Sequence, residues 1–277
     1  MQMPSLTDRH ALDLHRARAD DPRSGAWFLH AAAIDEVQER LKDVNRTFTD
    51  PAIVTGHPEI WRNALPGAAL VADIETLGLQ TCAHDLVIHA MSLHWADDPV
   101  GQLIQCRRAL REDGLMMVAT LGGETLTELR AAMGQAETEI TGGLSPRVAP
   151  MGEIRDLGAL LQRAGLALPV ADVTPLRVRY RDLSHLAQDL RAMGETNALA
   201  ARHRVAPRRG LFARADALYR KAFPDGDGIA ATFEIVFLTG WAPSETQQKP
   251  LRPGSAQARL ADALGVPETG SKGKTPE

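Results

Sequence analysis

The sequence predicts an α/β fold with a mostly parallel sheet, on three observations. The first is a strand–helix–strand unit: Asp85-Leu86-Val87-Ile88-His89 and Leu115-Met116-Met117-Val118-Ala119 are short apolar runs suited to strands buried on both faces. The second is the punctuation between them. Asp97-Asp98-Pro99 starts a helix with an acidic cap and a proline where no amide donor is needed. Glu112-Asp113-Gly114 closes it, the glycine supplying a left-handed turn. The third is a last apolar run, Ala231 to Trp241, expected as an antiparallel strand at the sheet edge. In parallel sheets ligands bind outside the carboxyl ends of the strands. That places Ser92, His94 and Trp95, and Gly122 to Glu124, on the ligand side.

The other elements follow in order. Residues 7–20 read as a polar helix, and Trp27 to Val44 as a stronger amphipathic one packed over the sheet through Phe28, Ala31, Ile34, Val37 and Leu41. Pro51 to Gly56 is the first strand and its turn. A helix from Pro58 to about Leu65 leads to the strand Ala68 to Ala72, which ends at Asp73. An Ala- and Glu-rich helix closes by Gly142-Gly143, and Glu153 to Ala164 is a helix closed by Gly165. Pro169 to Tyr180 is extended and broken by Thr174-Pro175; its Leu176, Val178 and Tyr180 alternate with Arg177, Arg179 and Arg181, as in a half-exposed strand. Leu183 to Met193 and Arg208 to Phe223 are helices. The expected organisation is N-terminal helices over 1–50, a domain over 51–242 with a helical insertion at about 181–225, and an extended or partly disordered tail over 243–277. Within that tail, a short helix is expected near Gln257 to Leu264.

Composition bounds function. In 277 residues, apolar types make 44% and charged types 24%, as in an ordinary globular protein. A net charge of −4 gives no broad basic field, which argues against nucleic acid as a partner. Two cysteines, Cys82 and Cys106, suggest a reducing compartment and no disulfide framework. No apolar run reaches membrane-spanning length. Asp8, Asp13, Asp20 and Asp21 argue against a transit peptide, so cytoplasm is the default. His84, His89 and His94 lack metal-ligand spacing, so no metal is expected, and Asp225-x-Asp227 reads as a solvated turn.

A family resemblance rests on an ordered series of motifs. The Asp85-Leu86-Val87 strand, the Ser92-Leu93-His94-Trp95 loop and Leu110-Arg111-Glu112-Asp113-Gly114 resemble the second half of class I S-adenosylmethionine (SAM) methyltransferases. Gly122-Gly123-Glu124-Thr125-Leu126, Ala136-Glu137-Thr138-Glu139, Gly142-Gly143-Leu144-Ser145-Pro146 and Met193-Gly194-Glu195-Thr196-Asn197 narrow it. Together they resemble the methyltransferase-like assembly factors of respiratory complex I and, more distantly, the malonyl-carrier-protein methyltransferases of biotin synthesis. The resemblance implies a Rossmann-like sheet with an antiparallel last strand, one strand short, and SAM as cofactor. It also implies a protein substrate, an arginine of a complex I subunit. It places Thr55, Gly56, Asp73, Ile74, Ala90, Met91, Ser92, His94 and Trp95 toward the cofactor. It places Gly122, Gly123, Glu124, Glu137, Ser145, Pro146, Glu195 and Asn197 toward the substrate. No catalytic residue is assigned.

The pattern breaks at the first loop. Such enzymes carry a Gly-x-Gly-like turn that lets bare backbone approach the cofactor, but Thr55-Gly56-His57-Pro58 has one glycine and a proline without an amide. SAM is therefore expected to bind weakly or not at all. Asp73 has two readings: the acid about 20 residues after the glycine turn that holds a ribose hydroxyl, or the family's next acid, facing the adenine, with the second strand absent. Spacing to Asp85 favours the latter. His94 and Trp95 line the pocket or form a hydrogen-bonded core pair, and the acids receive a cationic side chain or cap helices. Two function classes stay open: an enzyme modifying a protein side chain, and a non-catalytic assembly factor that kept the fold.

Overall fold

The computed structural model describes residues 5–19, 21 and 25–247. The expected helix near Gln257 to Leu264 lies outside them. The chain to Pro243 forms one compact unit. Its sheet has the order β2-β1-β3-β4-β7-β5: β1 (Pro51–Thr55), β2 (Ala69–Ala72), β3 (His84–Ala90), β4 (Leu110–Leu121), β5 (Ala167–Tyr180) and β7 (Gly228–Trp241), with a two-residue β6 (Pro224–Asp225) hairpinned onto β7. The first four are parallel to one another, and β7 lies antiparallel between β4 and β5. This is the expected Rossmann-like architecture. Helices α1 (Arg9–Arg16), α2 (Phe28–Asp43), α3 (Pro58–Trp61), α4 (Pro99–Ala109), α5 (Thr127–Thr141), α6 (Ile154–Arg163), α7 (Leu183–Ala192) and α8 (Leu211–Ala222) complete it.

Two apolar cores flank the sheet because strand side chains alternate. Ile53, Leu86, Ile88, Leu115 and Met117 face α2, α5, α7 and α8, whereas Val54, Val87, Met116 and Val118 face α4 and α6. Chain entry into β1 is pinned by Asp85, whose carboxylate accepts from the amides of Thr49 and Asp50 at 2.6 and 3.0 Å. Asp98 caps α4 by accepting from the Gly101 amide.

Several expectations need correction. Gly114 does not supply the left-handed residue after α4; Asp113 does, at φ 57°. Gly114 is instead needed for closeness, since a Cβ there would meet the Arg111 carbonyl at 2.9 Å. The helix after Pro58 stops at Trp61. β5 runs unbroken through Thr174-Pro175 and is itself the sheet edge, a place where a proline leaves no ladder bond unmade. β7 is interior, because β5 pairs along its outer side. The strand before Asp73 pairs directly with β1 (Ala52 with Ala69 through Thr55 with Ala72), so it fills the place of the second strand. Position in the sheet thus puts Asp73 at the carboxyl end of the strand next to β1, the placement that spacing alone had disfavoured. Arg177 and Arg179 pair with Asp225 and Asp227 of the β6–β7 turn.

Candidate functional site

The strand order reverses between β1 and β3, and the crevice outside their carboxyl ends is where an open α/β sheet binds ligands. Thr55, Gly56, Asp73, Met91, Ser92 and Trp95 all stand at this end. The crevice is not open along its length, because α1 crosses it. Both Arg16 terminal nitrogens donate to the two carboxylate oxygens of Asp73, at 2.9 and 3.0 Å. Arg9 donates to the same carboxylate at 2.6 Å and to the Asp73 carbonyl at 2.9 Å. Asp73 is buried; burial pushes its carboxyl up, but the Arg16 and Arg9 guanidinium groups outweigh this and hold it below the usual carboxylate value. The Arg16 guanidinium lies where a Cβ on residue 56 would stand, so a side chain there would displace it.

Beyond α1 a cavity remains beside Asp73, Ile74, Trp95, Asp97 and Gln102. Ile74 sits exposed on its rim, and Ala90 and Met91 are buried beneath. Among the described residues the Ser92 hydroxyl is buried without a hydrogen-bond partner. These residues would face SAM, the cofactor that the resemblance in sequence implies. Its adenosine end has room, but its ribose would need the carboxylate that Arg9 and Arg16 hold, and its amino-acid end would need the space above Gly56. In this arrangement SAM does not fit.

On the other side of Trp95 lies an apolar trough of about 240 Å³, walled by Leu29, Leu129, Met133, Leu186, Leu190 and Phe233, among others. Its polar end is Glu195. The Trp95 indole donates to Glu195 Oε2 at 2.9 Å and His94 Nε2 approaches the same oxygen at 3.4 Å; among the described residues no hydrogen bond reaches Oε1. Burial raises the Glu195 carboxyl, but the His94 hydrogen bond and nearby positive charge outweigh it, leaving an ionised group.

His30 and His57 stand behind this carboxylate; with Glu195 their ligand atoms lie within 4.8 Å of one another. Burial lowers both imidazoles, to about 3 and about 4. The Trp61 indole donates to His30 Nδ1 at 3.0 Å. An indole N–H can only donate, so the His30 proton is on Nε2 and neither nitrogen has a lone pair for a metal. The cluster reads as a neutral polar core beside an anion.

Of the substrate-side candidates, Glu195 and Asn197 line the trough. The rest do not line it. Glu137 accepts from the Ser145 amide and hydroxyl and from Arg147, at 2.9, 2.7 and 2.7 Å, and so holds the loop through Pro146 that Asn197 also grips. Gly122 and Gly123 leave space for the Glu234 and Glu153 carboxylates. The Glu124 amide donates to Glu234. Sequence reading missed Arg9 and Arg16, although their seven-residue spacing puts both on one helix face. It also missed His30, and the pairing of His57 with it, because 26 residues and a strand separate the two.

Known proteins resemble this chain in sequence. Residues 28–118 match the family model described as a methyltransferase domain. The chain is 37% identical over 199 residues to "Arginine-hydroxylase NDUFAF5, mitochondrial" of Danio rerio, covering 72% of this chain and 62% of that protein. It is 38% identical over 199 residues to the Homo sapiens protein of that name, covering 72% and 57%. It is 37% identical over 175 residues to the malonyl-[acyl-carrier protein] O-methyltransferase of a Methylovorus species, covering 63% and 57%. The chain thus spans about three fifths of these relatives. The cytoplasmic default is overturned here, since the zebrafish and human relatives are named mitochondrial; composition reports redox conditions, not compartment. Among the described residues no helix is long and apolar enough to cross a membrane.

Proposed function

From a chain that carries a methyltransferase domain and shares over a third of its aligned residues with proteins named arginine-hydroxylases, we propose that it receives an arginine side chain of a protein substrate, a subunit of respiratory complex I during assembly. The observation that carries this reading is the apolar trough lined at one end by the Glu195 carboxylate. At about 240 Å³ it is smaller than the roughly 300–1,000 Å³ of sites for drug-sized ligands, and suits one inserted side chain. Aliphatic walls would cover the methylenes of an arginine while an ionised carboxylate met its guanidinium. Trp95 and His94 fix that carboxylate from the far side. Arg191 at the mouth would favour a substrate segment with an acid beside its arginine.

A second reading has its own support. The Arg9–Arg16–Asp73 cluster fills the cofactor crevice, as a non-catalytic assembly factor with a degenerate SAM site would allow. The two readings part in cells lacking the chain, supplied with wild type or Glu195→Gln and scored for assembled complex I on native gels. Both require assembly to fail without the chain; normal assembly in its absence would remove both. Failure with Glu195→Gln supports the arginine trough, and full rescue by that variant favours the scaffold.

A further inference from the structure

We infer that α1 is a built-in competitor for the cofactor crevice: Arg16 occupies the place of a SAM-type ligand's ribose and amino-acid end. Such a ligand enters only when Arg9 and Arg16 release Asp73. The inference rests on the methyltransferase-domain reading for the class of ligand, and on the geometry of α1 for the rest.

The contacts of α1 are those of a strap fastened at both sides of the crevice. On the side of the β3 loop, the Leu6 and Thr7 amides donate to Asp97 at 2.8 and 2.9 Å, and the Thr7 hydroxyl donates to the Trp95 carbonyl at 2.9 Å. On the side of the helical insertion, the Asp8 amide donates to the Ala198 carbonyl at 2.7 Å, and Arg202 and Arg204 donate to the Asp8 carboxylate. Leu12 is buried with Trp95 and Leu199. Between these fastenings the helix lowers two guanidinium groups onto one carboxylate.

The fit is incomplete in a telling way. The Arg16 side chain is 8% exposed, yet among the described residues its Nε is buried without an acceptor. The Ser92 hydroxyl across the crevice is likewise unpaired among the described residues. A nucleoside in the crevice would need the same Asp73 carboxylate that Arg9 and Arg16 hold. Closed and liganded states therefore exclude each other at Asp73, and the apparent affinity for ligand falls by the fraction of molecules that are open.

The test is isothermal titration of S-adenosylhomocysteine and SAM into wild type, Arg16→Met, and Arg16→Met with Asp73→Asn, with melting curves to show folding. Arg16→Met keeps the aliphatic stem and leaves Arg9 to pair Asp73. The expected result is affinity tighter than wild type by about tenfold or more in Arg16→Met, a gain lost when Asp73→Asn is added. Unchanged affinity in folded Arg16→Met, or sub-micromolar binding by wild type, overturns the inference. Should Arg16→Met fail to fold, wild type decides: saturating S-adenosylhomocysteine is expected to speed tryptic cleavage after Arg16, and an unchanged rate overturns the inference. Either failure leaves the arginine trough standing, because that reading is scored by complex I assembly and not by cofactor affinity.

Discussion

Asp73→Asn is the sharpest perturbation of the closed crevice. The acid and Arg16 are buried together, with side chains 3% and 8% exposed, and the change keeps the shape while removing the charge. It also turns one acceptor into an amide that faces guanidinium donors. Arg9 keeps the Asp73 carbonyl and Asp13 as partners, so the loss falls mainly on Arg16. Removing one partner of a buried ion pair costs roughly 3–5 kcal/mol. At about 2–4 °C per kcal/mol for a unit of this size, the midpoint should drop by roughly 6–20 °C. Urea and thermal melts at pH 7 followed by far-UV circular dichroism measure this. Replacing the whole group with Asp73→Leu, Arg9→Met and Arg16→Met should cost much less, since apolar replacement of a whole buried ionic group is often neutral. The pH dependence has a definite sign. Folding lowers the Asp73 pKa, so its contribution is full above the unfolded value, near 3.8, and fades as pH falls through the folded value. A loss under about 1 kcal/mol, the size of a surface pair, would refute the burial argument.

Other consequences are as specific. Wild type should bind SAM only at high micromolar concentration or weaker, because about two charge-assisted contacts of 1.5–3 kcal/mol each are denied to it; titration calorimetry measures this. Glu137→Ala should cost about 3 kcal/mol, since it strips the Ser145–Arg147 loop of its anchor and leaves Arg147 unpaired; denaturant melts read it. His30 and His57 have pKa values lowered by burial from 6.5 to about 3 and about 4. The native state therefore binds fewer protons than the unfolded chain between those values, and stability falls as pH drops below 6.5. At pH 5 the two together should remove about 4 kcal/mol relative to pH 7. His30→Gln with His57→Gln should flatten that slope in urea melts; a flat wild-type profile would mean that the native rings take up protons.

The parallel core of the fold was legible because it is written locally. Asp98-Pro99 and the apolar runs of β3 and β4 each carry their own signal, and the structure keeps all of them. Errors arose where tertiary pairing decides. Pro175 reads as a breaker until β5 is known to be an edge strand, and β7 reads as an edge until β5 is known to lie outside it. Asp73 was misplaced because spacing to Asp85 was weighed without knowing that Ala69–Ala72 pairs with β1. In the candidate site, the motif that singles out Glu195 and Asn197 falls on the lining of the trough, where the Trp95 bond to Glu195 joins residues 100 positions apart. Arg16 was illegible as a crevice occupant, because nothing in a polar helix states what lies beneath it. Glu137 shows the converse: an acid in a distinctive motif whose work is to hold a loop.

The reading of the trough is tested most directly by mass spectrometry of arginine-containing peptides from complex I subunits. Subunits would be prepared from cells lacking the chain and from the same cells supplied with wild type or Glu195→Gln. The trough predicts that one arginine gains mass, by an oxygen or a methylene, with wild type only, and that the peptide is unmodified in the other two. No arginine differing among the three preparations, or full modification with Glu195→Gln, would contradict it.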